Sequence, residues 1–153
     1  MKLSKNLSLK ECTKSITASR LGLNNTPKER EIVNLKQVAE HIFQPVRDQF
    51  GVPIYVSSGY RSKELNSAVG GSSTSQHCQG RALDLDADVY GKITNSDIFK
   101  YIKDCLDFDQ LIWELGSDLE PAWIHVSYVS DRDNRNRVLK ATRKGGKVVY
   151  SAW

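Results

Sequence analysis

The sequence predicts an α+β fold, with N-terminal helices packed on a mainly antiparallel sheet. Two observations carry that prediction. Helical periodicity with capping signals fills most of the first 50 residues, and period-two alternation broken by turn signals fills most of the chain after residue 107. Helices followed by strands, with no repeat, linker or low-complexity segment between them, fit one domain over residues 1–153. That length is enough to bury a proper core. A 39% hydrophobic and 26% charged composition excludes a disordered chain, and no apolar run reaches the length of a membrane span.

Taken in order, Ser8-Leu9-Lys10-Glu11 forms a capping box, and a helix is expected from Leu9 to about Ser19, ending before Gly22. Thr26-Pro27-Lys28-Glu29 repeats the signal with proline at the first helical position. Ile32, Leu35, Val38, Ala39, Ile42 and Phe43 then recur at helical spacing, predicting a long amphipathic helix that Pro45 should kink or break and Gly51 should close. His41 on this helix has no metal-binding company and reads as a surface or flank residue. Val52 to Ser57 reads as a strand, with Ser58-Gly59-Tyr60-Arg61 as the turn after it. Ser62 caps a short helix from Lys63 to about Val69. Residues 70–75 form a Gly/Ser loop, 87–95 another loop, and Ser96 is expected to cap a helix through Leu106. Phe108 to Leu115 and Trp123 to Val129 should pair as a hairpin around the turn Gly116 to Pro121. A second hairpin, about 137–152, turns at Gly145-Gly146.

Cys12, Cys78 and Cys105 are odd in number and widely spaced, so neither a disulfide framework nor a paired-cysteine metal site is indicated. Cys78 directly follows His77 and reads as a small, partly buried filler rather than a ligand or nucleophile. The net charge of +4 sits in the tail: residues 131–153 carry seven basic residues against two acids, leaving the rest near neutral. An anionic partner such as a cell-wall polymer would be drawn there, but lysines on an edge strand also serve simply to discourage aggregation, and the latter reading is preferred. No motif or aromatic interleaving points to nucleic acid. The N-terminus lacks an apolar signal segment, so synthesis as a soluble cytoplasmic chain is the expectation. A monomer is expected.

The chemistry concentrates in Ser75-Gln76-His77-Cys78-Gln79-Gly80-Arg81-Ala82-Leu83-Asp84-Leu85-Asp86. With a period of two, Leu83 and Leu85 face one way and Asp84 and Asp86 the other. Such a strand is either a solvated surface strand or the wall of a site. A second histidine, His125, lies in the alternating run Trp123 to Tyr128. Two histidines and one carboxylate are a common protein shell for one catalytic Zn2+ ion, although residues this common also align by accident.

The pattern Ser75-x-His77-x-x-Gly80-x-Ala82-x-Asp84 resembles the signature of the zinc D-alanyl-D-alanine peptidases, a family of D-Ala-D-Ala carboxypeptidases, dipeptidases and phage endolysins. Trp123-Ile124-His125-Val126-Ser127 is similar to its second histidine motif, and Ser58-Gly59-Tyr60-Arg61 to its arginine-bearing element. The resemblance implies a hedgehog/DD-peptidase-like zinc fold, zinc on His77, Asp84 and His125 with water at the fourth position, and peptidoglycan stem peptides as substrate. It also implies that Arg61 holds a substrate carbonyl or carboxylate, with Tyr60 and Ser75 as candidate substrate contacts; Trp123 shares the His125 face by alternation and is a candidate wall of the pocket, with core packing as the equal alternative. Asp86, on the Asp84 face, is a candidate support for a ligand. One departure stands out: many members carry the catalytic acid three residues before the second histidine, where this chain has Ala122. Glu114, at the end of the neighbouring strand, is the favoured replacement, with Glu120 in the turn as the alternative. Without an export signal, a phage-encoded enzyme acting on the wall after release fits best. The rival reading is a catalytically inactive, zinc-stabilised module that binds a wall polymer or another anionic polymer.

Overall fold

A computed structural model describes all 153 residues. The chain forms a mixed α/β fold around a six-stranded sheet, preceded by a two-stranded ribbon that the sequence pattern did not predict. That ribbon, β1 (Lys2–Ser4) and β2 (Leu7–Ser8), is too short to carry a periodicity. The expected first helix is two helices. α1 (Leu9–Thr13) starts at the Ser8 capping box, and α2 (Ile16–Leu21) has its own cap, the Ser15 hydroxyl accepting from the Ala18 amide. Ser15 outcompetes helix continuation because its side chain satisfies an orphan donor.

The long helix is continuous but not uniform. α3 (Glu29–Val38) begins two residues after Pro27, and Glu31 accepts from the Lys28 amide at 3.0 Å. Ala39–Phe43 is a π-helical turn that runs into α4 (Gln44–Phe50). Pro45 therefore neither breaks the helix nor ends it. The wider turn lies immediately before the proline, at a point where the ladder must be interrupted in any case. Gly51 closes the helix at φ 65°. His41 is exposed, and its ring stacks on Tyr128 at 4.5 Å.

The large sheet has the order β3 (Tyr55–Ser58), β4 (Ala82–Asp86), β6 (Trp123–Ser127), β5 (Gln110–Glu114), β7 (Arg137–Lys144), β8 (Lys147–Ala152). All pairs are antiparallel except β5 with β7, because the chain crosses from the end of β6 to start β7 alongside β5. β3 begins at Tyr55 rather than Val52, as a proline at position 53 lacks a donor for the ladder. α5 (Lys63–Ala68) follows the Ser62 cap as expected. α6 (Asn95–Cys105) is capped by Thr94 rather than Ser96, with Asp97 completing the capping box.

One core of 24 buried residues contains Leu35, Val38, Ile42 and Phe43 from the long helix, Ile98 and Ile102 from α6, and Leu83, Leu85, Leu111, Ile124 and Val126 from the strands. By alternation, the opposite face of the sheet carries Asp84, His125, Ile112 and Glu114, with Leu139 and Ala141 from β7. Ile112, Leu139 and Ala141 form a separate small apolar cluster there. No helix is long and apolar enough to cross a membrane.

Candidate metal centre

Three side chains from two strands and a turn meet on the outer face of the sheet. Asp84 on β4 and His125 on β6 are direct cross-strand partners, so register alone places them side by side. His77 arrives from the short 3₁₀ turn Gln76–Gln79, whose first residue is capped by Ser75: the Ser75 hydroxyl accepts from the His77 amide at 3.2 Å. Gly80 ends the turn at φ 73°, and a Cβ there would lie 2.5 Å from the Glu31 carbonyl, so glycine is required on both counts. The chain then enters β4, and Asp84 folds back under His77.

The distances suit a small cation. Asp84 Oδ1 lies 3.2 Å from His77 Nε2 and 3.1 Å from His125 Nδ1, and the three donor atoms all fall within 4.8 Å of one another. A tetrahedral ion with bonds of roughly 2.0–2.1 Å separates its ligands by roughly 3.3 Å.

The proton arrangement points the same way. His77 Nδ1 is 2.6 Å from the Gly59 carbonyl, which can only accept, so Nδ1 carries the proton and donates. In the neutral ring, Nε2 then turns a bare lone pair toward Asp84. Burial alone would raise the Asp84 carboxyl, yet the neighbouring histidines, His77 foremost, hold it well below the usual carboxylate range. A lone pair and a carboxylate oxygen at 3.2 Å require a positive charge between them, whether a proton or a metal ion. His77 and Asp84 are buried and His125 is half-buried, so a metal ion there would have protein on most sides and one direction open.

Gly59 was the hidden partner of this arrangement. A Cβ on it would sit 2.4 Å from the Cys12 carbonyl, so only glycine lets the backbone reach in and present its oxygen to His77. Tyr60, next in sequence, is buried, and its amide donates to Cys12. Arg61 stands over the centre: its backbone amide donates to the His77 carbonyl at 3.1 Å, Nε to Ser58 Oγ at 3.1 Å and NH1 to Asn66 Oδ1 at 3.2 Å. NH2 is 3.5 Å from Asp84 Oδ2. Asn66 is 4% exposed and also donates to the Ser72 carbonyl. Sequence reading missed it because an asparagine inside a short helix carries no distinguishing pattern.

Glu114 ends β5 opposite Trp123 and on the His125 face. It is 7% exposed and has no hydrogen-bond partner for its carboxyl. Burial pushes that carboxyl up to about 7, with the Asp84 charge adding to the rise while His125 and Arg61 oppose it. Leu115 (φ 56°) and Gly116 (φ 70°) turn the chain sharply away directly after it. The Ala122 amide donates to the Glu114 carbonyl at 2.9 Å, so the alanine three residues before His125 is joined directly to the backbone of this glutamate. Glu120 is engaged elsewhere: it accepts from the Ser96 amide at 2.7 Å and the Ser96 hydroxyl at 3.0 Å at the start of α6. Asp86 accepts from the Asp88 amide and from Asn95 rather than from a histidine. Ser75 is occupied with the His77 turn, and Trp123 is half-buried on the site face. Cys78 is half-buried, and its thiol is raised chiefly by that burial, as expected of a filler.

No curated protein matches the chain closely enough to show common descent. The sequence model described as Peptidase M15 matches residues 5–127, which span α1 to the end of β6 and hold all three metal-ligand candidates, Arg61 and Glu114. The match covers well over half of the sequence, and the chain belongs to the peptidase M15 family, the zinc D-Ala-D-Ala carboxypeptidase type.

Proposed function

We propose that this chain is a zinc metallopeptidase that hydrolyses a peptide bond of bacterial murein stem peptides, D-alanine-containing ones first. One domain spanning residues 1–153 would carry the activity, with the helices covering the inner sheet face and the site on the outer one. The observation that carries this reading is the convergence of His77, whose Nδ1 faces the Gly59 carbonyl, and of His125 on one oxygen of Asp84 at 3.2 and 3.1 Å, the spacing of tetrahedral ligands. His77 through Nε2, His125 through Nδ1 and Asp84 through Oδ1 would hold the ion. Bound there, zinc supplies a Lewis acid and makes water acidic enough to ionise near neutrality.

The remaining work falls to the protein's own groups. Glu114, with its carboxyl near 7, can accept a proton from water and return it to the departing amine. Ala122, whose amide is bonded to the Glu114 carbonyl, stands where other members hold the acid, which supports a relocated base rather than a lost one. Arg61 is held by Ser58 and Asn66, so its guanidinium is oriented before substrate arrives and can take a substrate carbonyl or carboxylate. Tyr60 and Trp123 are proposed as walls of the same cleft. A cell-wall target outside the cytoplasm, and a phage-encoded origin, would agree with the substrate class.

Purified murein incubated with the protein tests the reading. New amino groups should appear with one equivalent of zinc and disappear with a chelator. Stoichiometric zinc binding without any cleavage would instead favour the inactive binding module. Cleavage that survives thorough chelation would rule out the metal route.

A further inference from the structure

The β7–β8 hairpin lies beyond the segment that matches the family, which ends at residue 127. It nevertheless extends the sheet face that carries the site. Glu114 is paired with Ala141 on β7, and Ala141 with Tyr150 on β8, so these residues form one row with Trp123 across four strands. Ala141 is fully buried and offers only a methyl group between Glu114 and Tyr150. Beside it, Leu139 and Ile112 complete an apolar floor that runs from His125 toward the hairpin. Tyr150 itself is 55% exposed, so its phenol is open to a ligand lying on that floor.

The hairpin is anchored. The Trp153 amide donates to the Val138 carbonyl at 3.1 Å, and the Trp153 ring packs on Trp113 at 4.7 Å and Phe99 at 5.3 Å. These contacts fix the end of β8 and with it the position of Tyr150.

We infer that Tyr150 is a substrate-binding residue, whose phenol donates a hydrogen bond to a neutral amide carbonyl of the stem peptide on the side of the centre away from Arg61. This rests on the proposed peptidase reading. The charge distribution selects the ligand. Arg61, at the β3–β4 side, suits a carboxylate or a polarised carbonyl. The carboxyl next to Tyr150 in its row is that of Glu114, while Asp84 is paired with Arg61 and the basic side chain on the same face of β7, Arg143, lies one row further along, so the group that matches the phenol itself is an uncharged acceptor. Burial first, and then the Glu114 and Asp84 carboxyls, keep the phenol above its ordinary value, so it remains a donor throughout the working pH range. From β6 to β8 is three strand spacings, about 14 Å, the reach of roughly four extended residues. A stem peptide seated by Arg61 at one end therefore crosses the centre and has interior amides to present to the hairpin.

The experiment compares wild type with Tyr150→Phe, Tyr150→Ala and Val149→Ala, the last on the opposite face of the same strand. The probe is a synthetic murein pentapeptide ending in D-Ala-D-Ala, with kcat and KM measured on zinc-loaded protein and Kd by calorimetry on metal-free protein. Tyr150→Phe should raise KM and Kd together by about three- to tenfold, leave kcat within about twofold, and Val149→Ala should change neither. If wild type cleaves the peptide and both Tyr150 variants match it in KM and Kd, the inference fails while the peptidase reading stands. Equal losses in Val149→Ala would also overturn it, because the hairpin's integrity would then be responsible. A wild type that binds the peptide in a Tyr150-dependent way without cleaving it would keep the contact and remove the peptidase. One that neither binds nor cleaves removes both.

Discussion

Glu114 is 7% exposed on a sheet face shared with Ile112, Leu139 and Ala141, and this mostly desolvated position is unfavourable for a carboxylate with no function. Glu114→Gln preserves shape and should leave zinc binding intact while lowering the rate of murein cleavage by on the order of 10²–10⁴. The same substitution has a stability signature in metal-free protein. The folded-state pKa is raised from 4.5 to about 7, so the folded protein holds this proton more tightly than the unfolded chain. Its stabilising contribution is complete below about 4.5 and is lost as pH rises through about 7. Denaturant titrations should find Glu114→Gln gaining on wild type across that window, by roughly 3 kcal/mol at most. A constant difference from pH 4 to 8 would mean that the carboxyl is solvated. The cysteines give a separate check. Cys12 is 1% exposed, and burial, with the nearby Glu11 charge adding to it, pushes its thiol up to about 12, whereas Cys105 is exposed. An alkylating reagent near neutral pH should modify Cys105 rapidly and Cys12 only after unfolding, as read by peptide mass mapping.

Among the elements, those with their own periodicity were legible in the sequence. Leu83 and Leu85 against Asp84, and Ile124 and Val126 against His125, announced both the strands and the face that carries the candidate site. The long helix, the Ser8 and Ser62 caps and the double-glycine hairpin were equally local signals. What stayed hidden depends on contacts between distant segments. The parallel pairing of β5 with β7, the π-turn ahead of Pro45, the Gly59 carbonyl on His77 and the Asn66 clamp on Arg61 leave no periodic trace. Asp109 belongs to that group. It is 2% exposed just before β5, accepts from Arg135 Nε at 2.9 Å and NH2 at 2.7 Å, and accepts from Gln76 at 2.9 Å in the turn that bears His77. Those bonds, Arg135 first, hold its carboxyl below the usual range. Its stabilising contribution is therefore present above the unfolded-state value and fades as pH falls through the folded-state one. Asp109→Ala should cost about 1–3 kcal/mol at neutral pH, since it takes away the buried acceptor of Gln76 and of the Arg135 amide, while the half-exposed Arg135 guanidinium can turn to water. Equilibrium unfolding with a loss under 1 kcal/mol would show the network to be incidental.

For the molecule as a whole, one sheet does two jobs on two faces. The inner face joins the helices in a single apolar core, while the outer face holds acids, histidines and a small apolar floor. Strands place Asp84, His125 and Glu114 by register, and the turn that brings His77 is tied to the rest by Gly59, Arg61 and Asp109. The side chains of the candidate centre are thus brought together by the fold itself before any ligand arrives, the preorganisation a metal site requires. The most direct test is anomalous diffraction from a crystal soaked in zinc. A single peak should lie about 2.0–2.2 Å from His77 Nε2, His125 Nδ1 and an Asp84 oxygen, with Glu114 facing the remaining side. A density map with no peak among those three side chains, or with the ion bound elsewhere on the surface, would contradict the account.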